Sequence, residues 1–520
     1  MVITLIAPTE DLLQYDLPTL VGIGPRILAS CLKNEGWEVQ LIFLPKRMGE
    51  IYEEQVLEQV AVLSSKSHLV GISLLTDDLA NAVQLTSYLK ARLDVPILWG
   101  GVHPSARPRE SLEYADMVCI GEGEIPLVEL VGRIEEGNLY TDIPSLWLKR
   151  EGTIIENPLE PLLLDLDTVP FPDLGPDDHF VLLNGTVQPM TEELLRKRLG
   201  RFYFTLSSRG CPFQCTYCFN HGYRRMFPGK KPIRKRSVEN VIQELSSVVK
   251  RFPYTERICL DDDAFFLRDI SEIQEFSMKY RDRVGVPLWI AGAGPTMVRT
   301  DKLAALTEAG MTSMRMGIQT GSEPIKRLYR RNFSNKRILQ AARMINDFKG
   351  VITEVQYDFI IDNPWETDAD VIRSLRLASR LPVPHELRLF PLHFYPGTDL
   401  YEKAEREGIL SENPEDVWLR EHHRFRDVYV NRVFVLAYET SRRGGKIGPL
   451  TMYLLTNAVG RRLKLSQLLY FILLWRMQGQ LASRVKHLLK EILQDLRRGR
   501  IDRIANLARK KLSNEGDGSL

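Results

Sequence analysis

Apolar positions in the first 150 residues fall in short runs, Val2–Ala7, Val39–Leu44, Leu69–Leu74, Pro96–Trp99 and Met117–Ile120, separated by stretches with helical spacing. Strand and helix in alternation predict a parallel sheet, a doubly wound α/β layer over residues 1–150. Such layers hold ligands at the carboxyl ends of their strands, near the point where strand order reverses. The loops at those ends carry Gly100-Gly101 and Gly121-Glu122-Gly123-Glu124. Over 151–200 the rhythm stops, and Pro158, Pro161, Pro170, Pro172 and Pro176 predict a linker between domains. A second alternating series runs through Tyr203–Ser207, Arg257–Leu260, Leu288–Ala291, Ser313–Gly317, Val355–Ile361 and Leu387–Leu392. Six βα units over 201–410 predict a partial (β/α)6 barrel of TIM type, with its chemistry on the loops that follow the strands. From 411 to 520 the pattern is helical.

The balance of 69 Lys and Arg against 67 Asp and Glu leaves a net charge of +2, so no overall field argues for a nucleic-acid partner. With 520 residues, 44% hydrophobic, the chain is long enough for two or three domains with cores of their own. Met1–Pro8 has no basic leader or cleavage site and reads as a first strand, so the expected location is the cytoplasm. Six cysteines are too few for a disulfide scaffold, and three of them crowd into eight positions, which points to metal. Cys31, Cys119 and Cys259 stand apart in apolar contexts and read as small buried hydrophobes.

In Ser207-Ser208-Arg209-Gly210-Cys211-Pro212-Phe213-Gln214-Cys215-Thr216-Tyr217-Cys218-Phe219-Asn220, thiols arise from one tight loop just after the first barrel strand. Three thiolates bind three irons of a [4Fe–4S] cube and leave the fourth open to another ligand, whereas a pure electron carrier takes four. A zinc site needs a fourth ligand, for which His221 is the nearest candidate.

The C-x3-C-x-aromatic-C spacing of Cys211, Cys215, Tyr217 and Cys218 resembles the radical S-adenosylmethionine superfamily over about 200–400. The resemblance implies that the open iron chelates S-adenosylmethionine, that Tyr217 and the backbone at Phe219 flank its adenine, and that reduction releases a 5′-deoxyadenosyl radical. Where the superfamily has a Gly-Gly-Glu-like turn for the amino group, this chain has Asp261-Asp262-Asp263, with Asp262 the candidate. Gly317-Ile318-Gln319-Thr320-Gly321-Ser322 is similar to the segment that approaches the ribose and methionine, and proposes Gln319 and Ser322. Ile360–Thr367 stands where the family carries Gly-Leu-Pro-Gly, and Tyr395-Pro396-Gly397-Thr398 is a further family-like turn.

Residues 1–150 resemble the cobalamin-binding domain of cobalamin-dependent radical enzymes, through Val70–Ser73, Trp99–Pro104, Ala115-Asp116 and Gly121–Glu124. By that likeness Gly100, Gly101, Gly121, Glu122 and Gly123 lie against the corrin, Ser73 and Thr76 bond its nucleotide tail, and His103 is a corrin contact. No D-x-H-x-x-G follows the first strand, so a histidine beneath cobalt is not expected.

The two likenesses together imply cobalamin, S-adenosylmethionine and a [4Fe–4S] cluster serving methyl transfer to an unactivated carbon of a small or lipophilic substrate, with flavodoxin or ferredoxin as electron donor. No catalytic side chain is singled out. The same architecture resembles the anaerobic porphyrin-ester cyclases, and a non-catalytic cobalamin or iron–sulfur sensor is the alternative of another class. A tRNA methylthiotransferase is disfavoured, because only Cys31 and Cys119 precede the linker. At the far end Val485, Leu488, Leu489, Ile492, Leu493 and Leu496 form one apolar helical face. Ten Lys and Arg against three Asp and Glu lie between Arg484 and Lys511. This tail either packs on the barrel or docks peripherally on the inner membrane face.

Overall fold

The computed structural model describes residues 1–8, 22–46, 50–198, 201–229, 231–411, 417 and 425–462. The basic amphipathic tail at 484–511 lies outside them. Among the described residues no helix is long and apolar enough to cross a membrane.

The five expected strands of the first layer form as β1 (Val2–Ala7), β2 (Glu38–Phe43), β3 (Leu69–Ser73), β4 (Ile97–Gly100) and β5 (Met117–Cys119), all parallel. Their runs are apolar throughout because helices cover both faces of the sheet, giving separate cores on either side.

Two hairpins between residues 146 and 189, largely within the stretch expected as a linker, extend this sheet. β6 (Leu146–Arg150) and β7 (Thr153–Glu156) form a hairpin beside β5, and β8 (His179–Leu183) and β9 (Thr186–Pro189) form another beside β2. The sheet therefore has nine strands in the order β7-β6-β5-β4-β3-β1-β2-β8-β9. The prolines lie between the two hairpins, where the chain crosses from one edge to the other. Asn184 and Gly185 turn β8 into β9 with φ of 51° and 77°, the left-handed pair that a two-residue hairpin loop demands.

The second sheet contains β10 (Phe202–Thr205), β13 (Arg257–Leu260), β14 (Leu288–Ala293), β15 (Met311–Gln319), β16 (Glu354–Ile361) and β17 (Glu386–Pro391), parallel and in chain order. It is the open, six-stranded half-barrel that the pattern predicts. Between its first two strands, β11 (Ser208–Arg209) and β12 (Arg234–Lys235) pair antiparallel and frame the cysteine loop. The helix Tyr429–Arg442 packs along the β17 edge.

Candidate functional site at the domain junction

Cys211, Cys215 and Cys218 are free thiols on the loop between β11 and the helix Phe219–Met226. Burial pushes the thiols of Cys211 and Cys218 up to about 11 and about 12, so they stay protonated at neutral pH until a cationic core claims them. The loop is fastened from below: Thr216 donates to Leu328 O at 2.7 Å, Leu400 N donates to Thr216 O at 3.0 Å, and Arg224 donates to Pro212 O at 2.8 Å. Gly222 permits the Tyr395–Thr398 turn to press on the following helix, since a Cβ there would stand 2.2 Å from Gly397 O. Phe219 packs against the same turn.

Among the described residues no three His, Cys, Asp or Glu side chains converge on a point that one ion could occupy. Thiolates that each take a different iron of a cube stand further apart than ligands of one ion, so the donor set fits the cluster. His221 is turned elsewhere, its Nε2 lying 3.5 Å from Asp399 and 3.2 Å from Arg330, which removes it from the zinc reading.

The sequence gives no sign of Arg331, which the structure brings to this site. Its guanidinium donates to Cys215 Sγ at 3.6 Å and to Gly317 O at 2.6 Å, and lies 4.6 Å from the Phe333 ring. A cation at a cluster thiolate favours the more negative, reduced state. Arg331→Met is expected to lower the cluster midpoint potential by roughly 50–100 mV. A potentiometric titration followed by electron paramagnetic resonance measures it, and an unchanged potential would rule the contact out.

Several candidate contacts are corrected. Asp262 is buried, and its carboxylate already accepts from Ser207 N at 3.0 Å, Ser207 Oγ at 2.8 Å and Ser208 Oγ at 2.7 Å. It secures the chain ahead of the cysteines and has no room for an ammonium. Asp261 and Asp263 are exposed, and Asp263 is the one that faces Cys211 and Cys218, with Asn220 as a side-chain partner. Ser322 is fully buried and donates to Asp370, so its hydroxyl is engaged inside the wall. Gln319 does stand at a strand end, in a left-handed conformation with φ 68° that is uncommon for a residue other than glycine. Asp362 takes φ 63°, so the stretch lacking the family's glycine keeps a glycine-like backbone there, held by Arg426 and Asn431.

A cavity of about 340 Å3 opens at the β1/β3 switch point and over the ends of β4 and β5. Ser73, Gly100, Gly101 and Gly121–Gly123 line one side, and Ser208 and Arg209 of the barrel line the other. Gly101 and Gly121 hold φ of 105° and 89°, and Cβ atoms on them would stand 2.6 Å from Leu74 O and 2.9 Å from the Phe227 ring. Such side-chain-free loops fit a flat macrocycle lying close to the backbone.

Thr76 and His103 do not line this cavity. They are buried together, with Thr76 Oγ1 3.4 Å from His103 Nδ1. Desolvation, reinforced by Arg107, pulls the His103 imidazole down to about 4. The folded state thus binds fewer protons than the unfolded chain between about pH 6.5 and 4, so stability is present above that window and is lost as pH falls through it, by up to about 3 kcal/mol. His103→Asn is expected to flatten acid destabilisation in that range, and an unchanged pH profile of melting temperature would show that His103 does not contribute. Since no histidine among the described residues lines the cavity, 15N-histidine labelling should leave the Co(II) paramagnetic resonance spectrum of the cobalamin-loaded protein unchanged. A change in nitrogen splitting would place an imidazole on cobalt.

Glu122 lines the cavity, and its carboxylate is taken up by the protein. Arg234 donates to it at 2.7 and 2.8 Å and Arg209 at 3.1 Å, while Arg209 reaches Glu124 at 2.5 Å. Burial alone would raise the Glu122 pKa, but the two guanidiniums together outweigh it and hold the carboxyl below its usual range. Arg209 and Arg234 belong to β11 and β12, beside the cysteine loop, and Tyr223 of the next helix and Phe227 just after it lie against Gly121. Both flanks of the cysteine loop therefore grip the same four residues at the cavity rim.

Two families match the chain: the B12 binding domain over residues 16–131 and the radical SAM superfamily over residues 205–378. An uncharacterized methyltransferase of Pyrococcus horikoshii is 25% identical over 418 residues, 79% of this chain and 84% of that protein. An anaerobic magnesium-protoporphyrin IX monomethyl ester cyclase of Rubrivivax gelatinosus is 24% identical over 348 residues, 65% of this chain and 58% of the cyclase, so the match spans little more than half of it. The solved structure of OxsB, a cobalamin-dependent S-adenosylmethionine radical enzyme with aqua-cobalamin and S-adenosylmethionine bound, shares the fold. It superposes with a TM-score of 0.64 at 17% identity, covering 100% of this chain and 84% of that one.

Proposed function

From a chain that joins a B12-binding domain to a radical S-adenosylmethionine domain, and so belongs to the cobalamin-dependent radical S-adenosylmethionine enzymes, we propose a methyltransferase acting on an unactivated carbon of a small or lipophilic substrate. Its cofactors are a [4Fe–4S] cluster, S-adenosylmethionine and cobalamin. When bound, the cluster with S-adenosylmethionine supplies a hydrogen-abstracting radical, and cobalamin carries a methyl group.

The observation that carries the reading is the junction itself, where the Gly121–Glu124 rim of the cavity is held by Arg209 and Arg234 on either side of the cysteine loop. In it Cys211, Cys215 and Cys218 hold the cluster, Tyr217 and the backbone at Phe219 face the adenine, and Gln319 meets hydroxyls or the methionine part. Tyr217 is set by an edge-on contact with Tyr329, centroids 5.0 Å apart. Ser73, Gly100, Gly101, Gly121 and Gly123 face the corrin, and the packed domain junction excludes water between the two reacting centres. A flavodoxin or ferredoxin supplies the electron.

Oxidative ring closure is the second reading, favoured by the cyclase relative. Anaerobic incubation of the reconstituted enzyme with cell extract and methyl-deuterated S-adenosylmethionine separates the two. A product that gains the mass of a labelled methyl supports transfer, and one that loses hydrogen without gaining label supports cyclisation.

A further inference from the structure

The half-barrel turns one face to its helices and the other away from them. On β16 the outward residues Val355, Tyr357, Phe359 and Ile361 are buried in the main core. The alternate residues of the sheet point inward, and most are half-buried: Phe204 on β10, Trp289 on β14, Arg315 on β15, Gln356 on β16, Arg388 and Phe390 on β17. A closed barrel packs this face with branched apolar side chains. Here it is aromatic at one side and charged at the other.

Register sets the charges side by side, with Asp358 level with Gly317 on β15 and Arg388 on β17. Arg315 Nε donates to both oxygens of Asp358, at 2.9 and 2.7 Å, and its guanidinium lies 5.3 Å from the Phe390 ring. Arg388 lies 5.8 Å from the same ring and has no hydrogen bond or ion pair with any described residue. Arg331, bound to Cys215, acts on Asp358 as well, so three guanidiniums surround one carboxylate that hydrogen-bonds only Arg315. Burial still pushes the Asp358 carboxyl up, which weakens it as a counterion for the others. An unpaired guanidinium on a half-buried aromatic wall is a receptor for a planar or tetrahedral anion. At the other side Phe204 and Trp289 stand 6.2 Å apart. The cysteine loop follows β10 and reaches over the carboxyl ends of the strands as far as β15, where Arg331 joins Cys215 to Gly317 O. From β14 to β17 is three strand spacings, roughly 14 Å along the sheet.

We propose that this face binds the enzyme's substrate as an amphiphilic anion. A carboxylate or phosphate sits in the fork of Arg388, and an aromatic or apolar body lies along the wall over Trp289 and Phe204, presenting a carbon to the cysteine loop above the strand ends. This deepens the methyltransferase reading and rests on it for the reaction, while the binding chemistry stands on the wall residues.

The test uses the reconstituted holoenzyme and three probes of one shape: 6-phenylhexanoate, 6-phenylhexyl phosphate and the neutral 6-phenylhexanol. Calorimetry is expected to show at least one anion binding roughly ten- to a hundredfold more tightly than the alcohol. Whichever anion binds better identifies the head group. Arg388→Gln should abolish the difference between anion and alcohol, and Arg388→Lys should restore part of it, a charge without the fork. Iron content and melting temperature of both variants report on folding. The inference is overturned if the alcohol binds as well as both anions, if no anion binds at millimolar concentration, or if folded Arg388→Gln keeps the preference. Formation of 5′-deoxyadenosine by the wild-type protein is followed in parallel: anion binding without it sinks the radical-enzyme reading alone, and its appearance without anion preference sinks the substrate class alone.

Discussion

Cys215→Ala is expected to lower bound iron from about four atoms per chain to near none and to abolish reductive cleavage of S-adenosylmethionine, because a corner built from three thiolates has no spare ligand. Cys211→Ala and Cys218→Ala should behave alike. Cys259→Ala is the matched control. Cys259 is buried on β13, 3% exposed, where desolvation raises its thiol pKa, and its loss should affect packing while leaving the iron in place. Iron analysis with the cluster's visible absorption decides, and full iron in Cys215→Ala would remove the cluster assignment.

The second large effect is expected at Glu122. Removing its carboxylate leaves Arg234, whose side chain is 4% exposed, as a buried guanidinium without its anion. Breaking such a pair costs about 3–5 kcal/mol. Glu122→Ala should therefore lower the unfolding free energy by about that much, and Glu122→Ala combined with Arg234→Met should recover much of it, since no uncompensated charge remains. Denaturant unfolding of the four proteins in the cycle measures the coupling. A loss under 1 kcal/mol in the single variant would mean that solvent reaches Arg234. Because this pair ties the cavity rim to the cysteine loop, the surviving fraction of Glu122→Gln should show more 5′-deoxyadenosine released per methyl transferred than the wild type.

The first-layer strands were legible because each is an apolar run buried on both faces, and those of the second sheet because their buried apolar positions recur every second residue between helical patterns. The hairpins at the sheet edges were not. Leu146–Arg150 ends in two exposed charges, and β8 and β9 sit within a proline-rich stretch whose breaks dominate the pattern. Asn184-Gly185, with Phe180–Leu183 before it and Thr186-Val187 after, is nonetheless a strong hairpin signal, and it marks the missed element.

The cysteine loop was legible because its ligands are local in sequence. Asp262 was misassigned because three consecutive aspartates at a strand end carry no sign of which one turns inward under Ser207 and Ser208. Thr76 and His103 were placed on the corrin by their neighbourhood, whereas the fold buries them against each other. Arg331 lies 116 residues from Cys215, and Arg330-Arg331 in isolation reads as a solvated pair. Only the packing of the segment after Leu328 under the cysteine loop brings it to the sulfur. Glu122 and Arg234 are likewise 112 residues apart, joined by the meeting of two domains.

The assignment as a radical enzyme is tested most directly by anaerobic reconstitution with iron, sulfide and cobalamin, followed by reduction in the presence of S-adenosylmethionine and mass spectrometry of the small molecules. Formation of 5′-deoxyadenosine in the wild type, with none in Cys215→Ala, is the expected result. A wild-type protein that binds a full [4Fe–4S] cluster yet forms no 5′-deoxyadenosine under strong reduction would contradict it.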